Sequence, residues 1–446
     1  MTNENTCKCG GQGCIIFTNI DCENENNENN ENNDLITKIP YNTSSIDNLE
    51  YIWALIIQKE YSNYDEWSSL WTIKCISKQY KYLKNRLNST NCPKNKFSRY
   101  NLEDSLKLNI YKGEKAGDFT LNDIITMYFS KLEDFTNKAI FVEKFMILCK
   151  MLENILYGII LLNSKKFVHY DINSNNIVIN QNKSKLIDFG FIFHYNKDIE
   201  YDLNGVKYNL YADNQYKHFL RRTFKELGCL NNSTVSGLSA MTNRFYSPLC
   251  PFDLYKIVIQ YNRLKSNKKV ENLIIRLLKK DLKLSLNPYN WRKNYGIIKG
   301  INEFIFDRSN YHEELMMQIA ESIEILSREK KYNHEKYLEV VKSVDIYSFA
   351  TNIMYSLVNQ LRKLLSSNDK YLSELELFAH DEWLKFIENI HSEKLYNIMK
   401  ILKKCSHPNS KNRASANNKL YRDYRKCLRE YFNKSKYKKR TKQKYN

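Results

Sequence analysis

Hydrophobic and polar positions recur with two periods along this chain. Between Ile46 and Lys59, the apolar residues Leu49, Ile52, Trp53, Ile56 and Ile57 return at helical spacing, predicting an amphipathic helix. The same pattern predicts helices over Thr120 to Tyr128, over Phe141 to Leu162, and from Ser343 through Leu357. Two more are expected over Asn262 to Lys283 and His312 to Leu326. Val270, Leu273, Ile274, Leu277 and Leu278 line one face of the first of these, and the rest of that stretch is basic. Short β-prone runs lie at Cys14 to Phe17, Leu35 to Ile39, Trp71 to Ile76 and Leu106 to Tyr111. Ile177-Val178-Ile179 and Lys185-Leu186-Ile187 flank a polar turn, Asn180 to Ser184, and predict a tight β-hairpin. Residues 22–34, CENENNENNENND, hold too little apolar surface to offset chain ordering and read as a disordered loop.

Composition narrows the class. The chain has 446 residues, enough for one large or two ordinary domains, and its 42% hydrophobic content supports a sizeable core. Lys and Arg number 69 against 50 Asp and Glu, a net charge of +19. Such a surface can steer acidic substrates, nucleotides or nucleic acid, although a solvated surface explains it equally well. The 11 cysteines form no regular framework, so reduced thiols are expected. Cys7, Cys9, Cys14 and Cys22 lack the paired C-x-x-C spacing of a zinc site. The polar first residues show no signal peptide, and no uncharged apolar run is long enough to span a bilayer. A soluble, intracellular protein without membrane contact is expected, its oligomeric state left open.

The candidate chemistry is concentrated in Phe167 to Phe191, FVHYDINSNNIVINQNKSKLIDFGF. The predicted hairpin sets Asp171 and Asn176 in the loop before it and Asp188 in the loop after it. Two carboxylates and an amide would then converge. Phosphoryl transfer needs this set: one Asp to orient the attacking hydroxyl, and an Asn and an Asp to hold magnesium against phosphate oxygens.

His169-Tyr170-Asp171, Asn176 and Asp188-Phe189-Gly190 together resemble the catalytic and magnesium loops of eukaryotic-type protein kinases. The resemblance implies an α+β, two-lobed protein-kinase-like fold, with a small β-rich N-lobe, a larger helical C-lobe and a long helical insertion. It makes Asp171 the catalytic base and Asn176 and Asp188 the metal ligands, with ATP and Mg2+ as cofactors and a protein as substrate. Aligned on Cys14 to Phe17, Gly10 and Gly13 match the second and third glycines of the phosphate loop, with Gly11 between them and Lys8 at the first position. Leu35 to Ile39 resembles the strand whose lysine meets the nucleotide phosphates, here Lys38. Glu50 is its expected partner, with Glu60 the fallback. Lys112 to Glu114 resembles the hinge between lobes. Ser343 to Phe349 is similar to the start of a buried C-lobe helix whose aspartate, here Asp345, bonds the catalytic-loop backbone. Cys405 to Arg413 resembles a segment near the kinase C-terminus whose arginine pairs with a Glu ending the activation segment.

The implied layout is an N-lobe over 1–113, the first part of the C-lobe over 114–198 and an activation segment with insertion over 199–340. The C-lobe would resume over 341–430, and 431–446 would be a basic tail. Tyr246 to Asp253 is the expected end of the activation segment, without a clear A-P-E. Tyr170 replaces the arginine that usually follows the histidine, and Asn173 replaces the lysine that helps neutralise the γ-phosphate. The polar tract, short first strand and long insertion resemble the divergent Ser/Thr kinases of giant DNA viruses. Alternatives stay open: a catalytically weak pseudokinase scaffold, or a small-molecule kinase of the aminoglycoside or choline type. The tail Lys434 to Tyr445 is either a localisation or nucleic-acid signal or a disordered end. Nucleic-acid binding is the less favoured role, because no groove-entering motif is found.

Overall fold

The computed structural model describes residues 7–9, 13–17, 22, 35–40, 45–76, 109–181, 183–195, 199–203, 205–210, 334–366, 393–407 and 410–444, with isolated positions between 268 and 328. It is a mixed α+β molecule, with small antiparallel sheets in the N-terminal part and helices in the C-terminal part.

β1 (Cys7–Cys9), β2 (Gly13–Ile16) and β3 (Leu35–Pro40) lead into α1 (Ser45–Glu60). β4 (Ile73–Ile76) and β5 (Asn109–Glu114) complete a five-stranded antiparallel sheet ordered β1-β2-β3-β5-β4. Ile15 and Tyr111 flank Lys38 across the neighbouring strands. Lys8 pairs with Ile15 inside β1, so it is a strand residue and does not stand in the turn. Lys112 to Glu114 also depart from expectation. They do not form a turn but continue β5, opposite Thr37, Ile36 and Leu35. The chain leaves the sheet only after Glu114. Cys22 is disulfide-bonded to Cys75, which corrects the expectation of reduced thiols for that pair. Cys149, Cys405 and Cys427 are free.

β6 (Phe119–Thr120) precedes α2 (Leu121–Tyr128), whose N-terminus is closed by a reciprocal capping box between Thr120 and Asp123. α3 (Glu133–Thr136), α4 (Lys138–Met151) and α5 (Glu153–Ser164) follow. The one long helix expected over Phe141 to Leu162 is therefore two, bent by 40° with Leu152 between them. The break has identifiable partners. The Tyr424 hydroxyl donates to the Cys149 carbonyl at 2.7 Å and Ser184 Oγ to the Met151 carbonyl at 2.6 Å, satisfying carbonyls that end α4. Glu153 then begins α5, where an acid suits the helix dipole, and accepts from Arg425 at 2.7 Å.

β7 (Phe167–Val168), β8 (Ile177–Asn180), β9 (Lys183–Leu186) and β10 (Phe193–His194) carry the central stretch. β8 and β9 form the predicted hairpin and join β6 in a three-stranded sheet, while β10 pairs with β7. The 199–340 region opens with a β-hairpin, β11 (Ile199–Leu203) and β12 (Val206–Leu210). Ile275, Arg276 and Glu324 lie in helical backbone, but most of the two helices expected there lies outside the described residues, as does Tyr246 to Asp253. α6 (His334–Val341), α7 (Val344–Ser366), α8 (Glu393–Cys405) and α9 (Asn418–Lys444) complete the chain. α9 carries helical backbone to Lys444, within the basic tail.

One hydrophobic core runs from α1 through α2, α4 and α5 to α7, α8 and α9. Among the described residues, no single helix is long and apolar enough to cross a membrane. The bent pair α4–α5 has the length and apolar character, but Phe145, Leu148, Ile155 and Ile159 are fully buried within this core.

Candidate functional site

The site draws on β3, on α1 and on the loops either side of the β8–β9 hairpin. Lys38 is buried at 8% exposure in the middle of β3, where the ammonium must be paired. Its Nζ donates to Glu50 Oε2, from the buried face of α1. Glu60 lies elsewhere, 3.0 Å from Lys165. The second Glu50 oxygen, Oε1, accepts from Trp71 Nε1 at 2.8 Å. Burial raises the Glu50 carboxyl, the Lys38 charge opposes this, and the nearby Asp188 carboxylate adds to the rise.

Asp171 is held by two amides. Asn176 Nδ2 donates to Asp171 Oδ2 at 2.8 Å and to its backbone carbonyl at 2.9 Å. Asn173 Nδ2 donates to Asp171 Oδ1 at 3.0 Å, and Asn173 Oδ1 accepts from the backbone N–H groups of Asn175 and Asn176. Residue 173 thus acts as the clasp of this loop. Burial and the neighbouring Asp188 charge push the Asp171 carboxyl up to about 7, against the lowering effect of the two amides.

The loop is fixed from behind by Asp345, in the first turn of α7. Its carboxylate accepts from His169 N at 2.7 Å and Tyr170 N at 2.9 Å. Burial lifts this carboxyl to about 6, and the two backbone donors work against the lift. Asn352 reinforces the contact by donating to the Ile172 carbonyl at 2.8 Å. Tyr170 has φ 66°, a costly left-handed conformation for a bulky residue, and its buried ring meets Phe193 edge-on at 5.4 Å. The His169 ring is fully buried, which lowers its pKa to about 4, and it meets the Phe189 ring at 4.7 Å.

Asp188 also sits in the left-handed region, φ 63°, where a short polar side chain is tolerated. Phe189 behind it is buried against His169 and Trp67. Asn176 spends its Nδ2 on Asp171, so its amide oxygen is the atom it can offer a cation. With the Asp188 carboxylate this makes a two-oxygen set. Such a set fits Mg2+, which keeps several waters and substrate oxygens, better than metals needing an all-protein cage. Among the described residues, no group of three or more His, Cys, Asp and Glu could hold a metal.

Lys38, Glu50, Asp171, Asn176 and Asp188 are thus brought together. Gly13 begins β2 opposite Pro40, while Gly10 and Gly11 lie outside the described residues. Arg413 is buried, donates to the His407 carbonyl at 2.8 Å and to Ser343 Oγ at 3.0 Å, and stacks over Tyr347. Sequence reasoning missed Trp71, read only as the start of a strand, and the clasp at Asn173, read only as a lost lysine. An Asn two residues beyond an Asp, able to bond the backbone two residues on, was the available signal for the second. Neither a scan of protein-family models nor a search of curated proteins finds a match for this chain.

Proposed function

We propose that this chain is an ATP- and magnesium-dependent protein kinase of two-lobed, protein-kinase-like fold that transfers the γ-phosphate of ATP to Ser/Thr hydroxyls. The observation that carries this reading is the grouping of the Lys38–Glu50 pair, the Asp171–Asn176 pair and Asp188. Lys38 would hold the nucleotide phosphates in the orientation that Glu50 gives it. Asp188 and Asn176 would hold magnesium, which supplies positive charge against the phosphate oxygens. Asp171 would accept the hydrogen bond of the incoming hydroxyl. A carboxyl poised near 7 suits that role at neutral pH. Most of the acceleration would come from positioning and charge, not from covalent chemistry.

Asn173 favours a second reading. Its amide is committed to Asp171, so this position offers the γ-phosphate no cation. A catalytically weak pseudokinase follows if the loss is not made good elsewhere. Incubation of the purified protein with labelled ATP and magnesium, against generic protein substrates, amino sugars and choline, separates the readings. Label in protein supports the kinase, and label in amino sugar or choline moves the assignment to small molecules. Nucleotide binding without transfer leaves the scaffold.

A further inference from the structure

The segment Trp67 to Thr72 links β9, the end of β5 and the Lys38–Glu50 pair. Leu186 N donates to the Trp67 carbonyl at 2.8 Å, and Ser69 N donates back to the Leu186 carbonyl at 2.9 Å. This fastens the segment to β9, two residues before Asp188. Ser69 Oγ donates to the Glu114 carbonyl and Thr72 N to the Lys112 carbonyl, both at 2.9 Å, which fastens it to the end of β5. From this doubly anchored strap, Trp71 reaches Glu50 Oε1 at 2.8 Å, and its ring lies 5.8 Å from Lys38 Nζ. Gly113 leaves room for the ring. A Cβ there would come within 3.2 Å of the Trp71 Cε3 atom and 2.6 Å of the Leu70 carbonyl oxygen.

We propose that Trp71 is a positioning residue for the Lys38–Glu50 pair, fixing the carboxylate so that α1, β5 and the Asp188 loop hold one arrangement. The inference rests on the kinase reading of the site. With Lys38 on Oε2 and Trp71 on Oε1, neither carboxylate oxygen is left to rotate away. Removing the indole N–H strands a buried carboxylate oxygen and frees the pair to reorient. The residues facing Glu50 are Lys38 from β3, Trp71 from the strap and Asp188 from the loop after β9.

The test is a double-mutant cycle read by calorimetric MgATP binding, with nucleotide-free unfolding midpoints measured beside it. Trp71→Phe keeps an aromatic ring and removes the donor. It should weaken MgATP binding about tenfold. In a Glu50→Ala background the same change should weaken binding less than about twofold, because the acceptor it serves is gone. A residue that only fills space would cost the same in both backgrounds, and that result overturns the proposal. Binding by Trp71→Phe within about twofold of wild type overturns it as well. Wild-type protein that binds no MgATP would overturn the kinase reading and this inference with it. Should Trp71→Phe not fold, Trp71→Leu takes its place in the same cycle.

Discussion

At the scale of single residues, burial shifts the ionisation of several groups around the Asp171 loop. His169 shows this most simply. Its pKa falls from 6.5 to about 4 because burial penalises the imidazolium. A depressed value means that the unfolded chain takes up the proton first. Stability from this group is therefore present above 6.5 and is lost as pH falls toward 4, by about 3 kcal/mol. Asp171 and Asp345 run the other way: their raised values contribute stability at low pH that is lost as pH rises through about 7 and about 6. A difference measurement isolates the histidine. His169→Phe, which preserves the contact with Phe189, should gain on wild type in urea unfolding as pH drops across that window. A stability difference independent of pH would show that His169 is not buried neutral. The residues of the central stretch were legible in sequence because their side chains act within a few positions of one another. Trp71 was not, because its partner lies 21 residues away and an indole donor carries no periodic signal.

At the scale of elements, what was legible followed local pattern. The β8–β9 hairpin, α1 and the start of α7 follow from turn chemistry and apolar spacing. The break between α4 and α5 did not, since its cause is tertiary: hydroxyls from Ser184 and Tyr424 take the last carbonyls of α4. The end of β5 was misplaced for a similar reason. Gly113 reads as a turn residue, yet its missing Cβ makes room for Leu70 and Trp71 beside a continuing strand. Gly158 in α5 poses the same contest between local propensity and packing. A helix-interior Gly→Ala change gains up to ~1 kcal/mol from propensity. Here the added Cβ would stand 2.5 Å from the ring of Trp67, which is fully buried. Packing should win, and Gly158→Ala should destabilise by about 1–3 kcal/mol in chemical denaturation. A variant as stable as wild type would mean that Trp67 can move aside, and with it the strap that carries Trp71.

For the whole molecule, α1 of the N-terminal part reaches the Asp188 loop through Glu50, and contacts from the C-terminal side hold the Asp171 loop. Asp345 grips its backbone, and the Tyr170 ring is buried against Phe193 of β10, which pairs with β7. Under the proposed kinase reading, an arginine at this position would bind an activation-loop phosphate, and here an uncharged aromatic fills the place. Activity should therefore survive a broad phosphatase, with phosphate loss confirmed by mass spectrometry. A fall of more than about tenfold would show that a phosphate orders the site after all. The central claim is that Asp171 serves phosphoryl transfer from MgATP to protein hydroxyls. It is tested most directly by comparing initial transfer rates of wild type and Asp171→Asn at saturating MgATP, with matched circular dichroism and unfolding midpoints. The account predicts measurable transfer by wild type and a roughly 10²–10⁴-fold lower rate in the folded variant. Transfer by Asp171→Asn within a few-fold of wild type would contradict it.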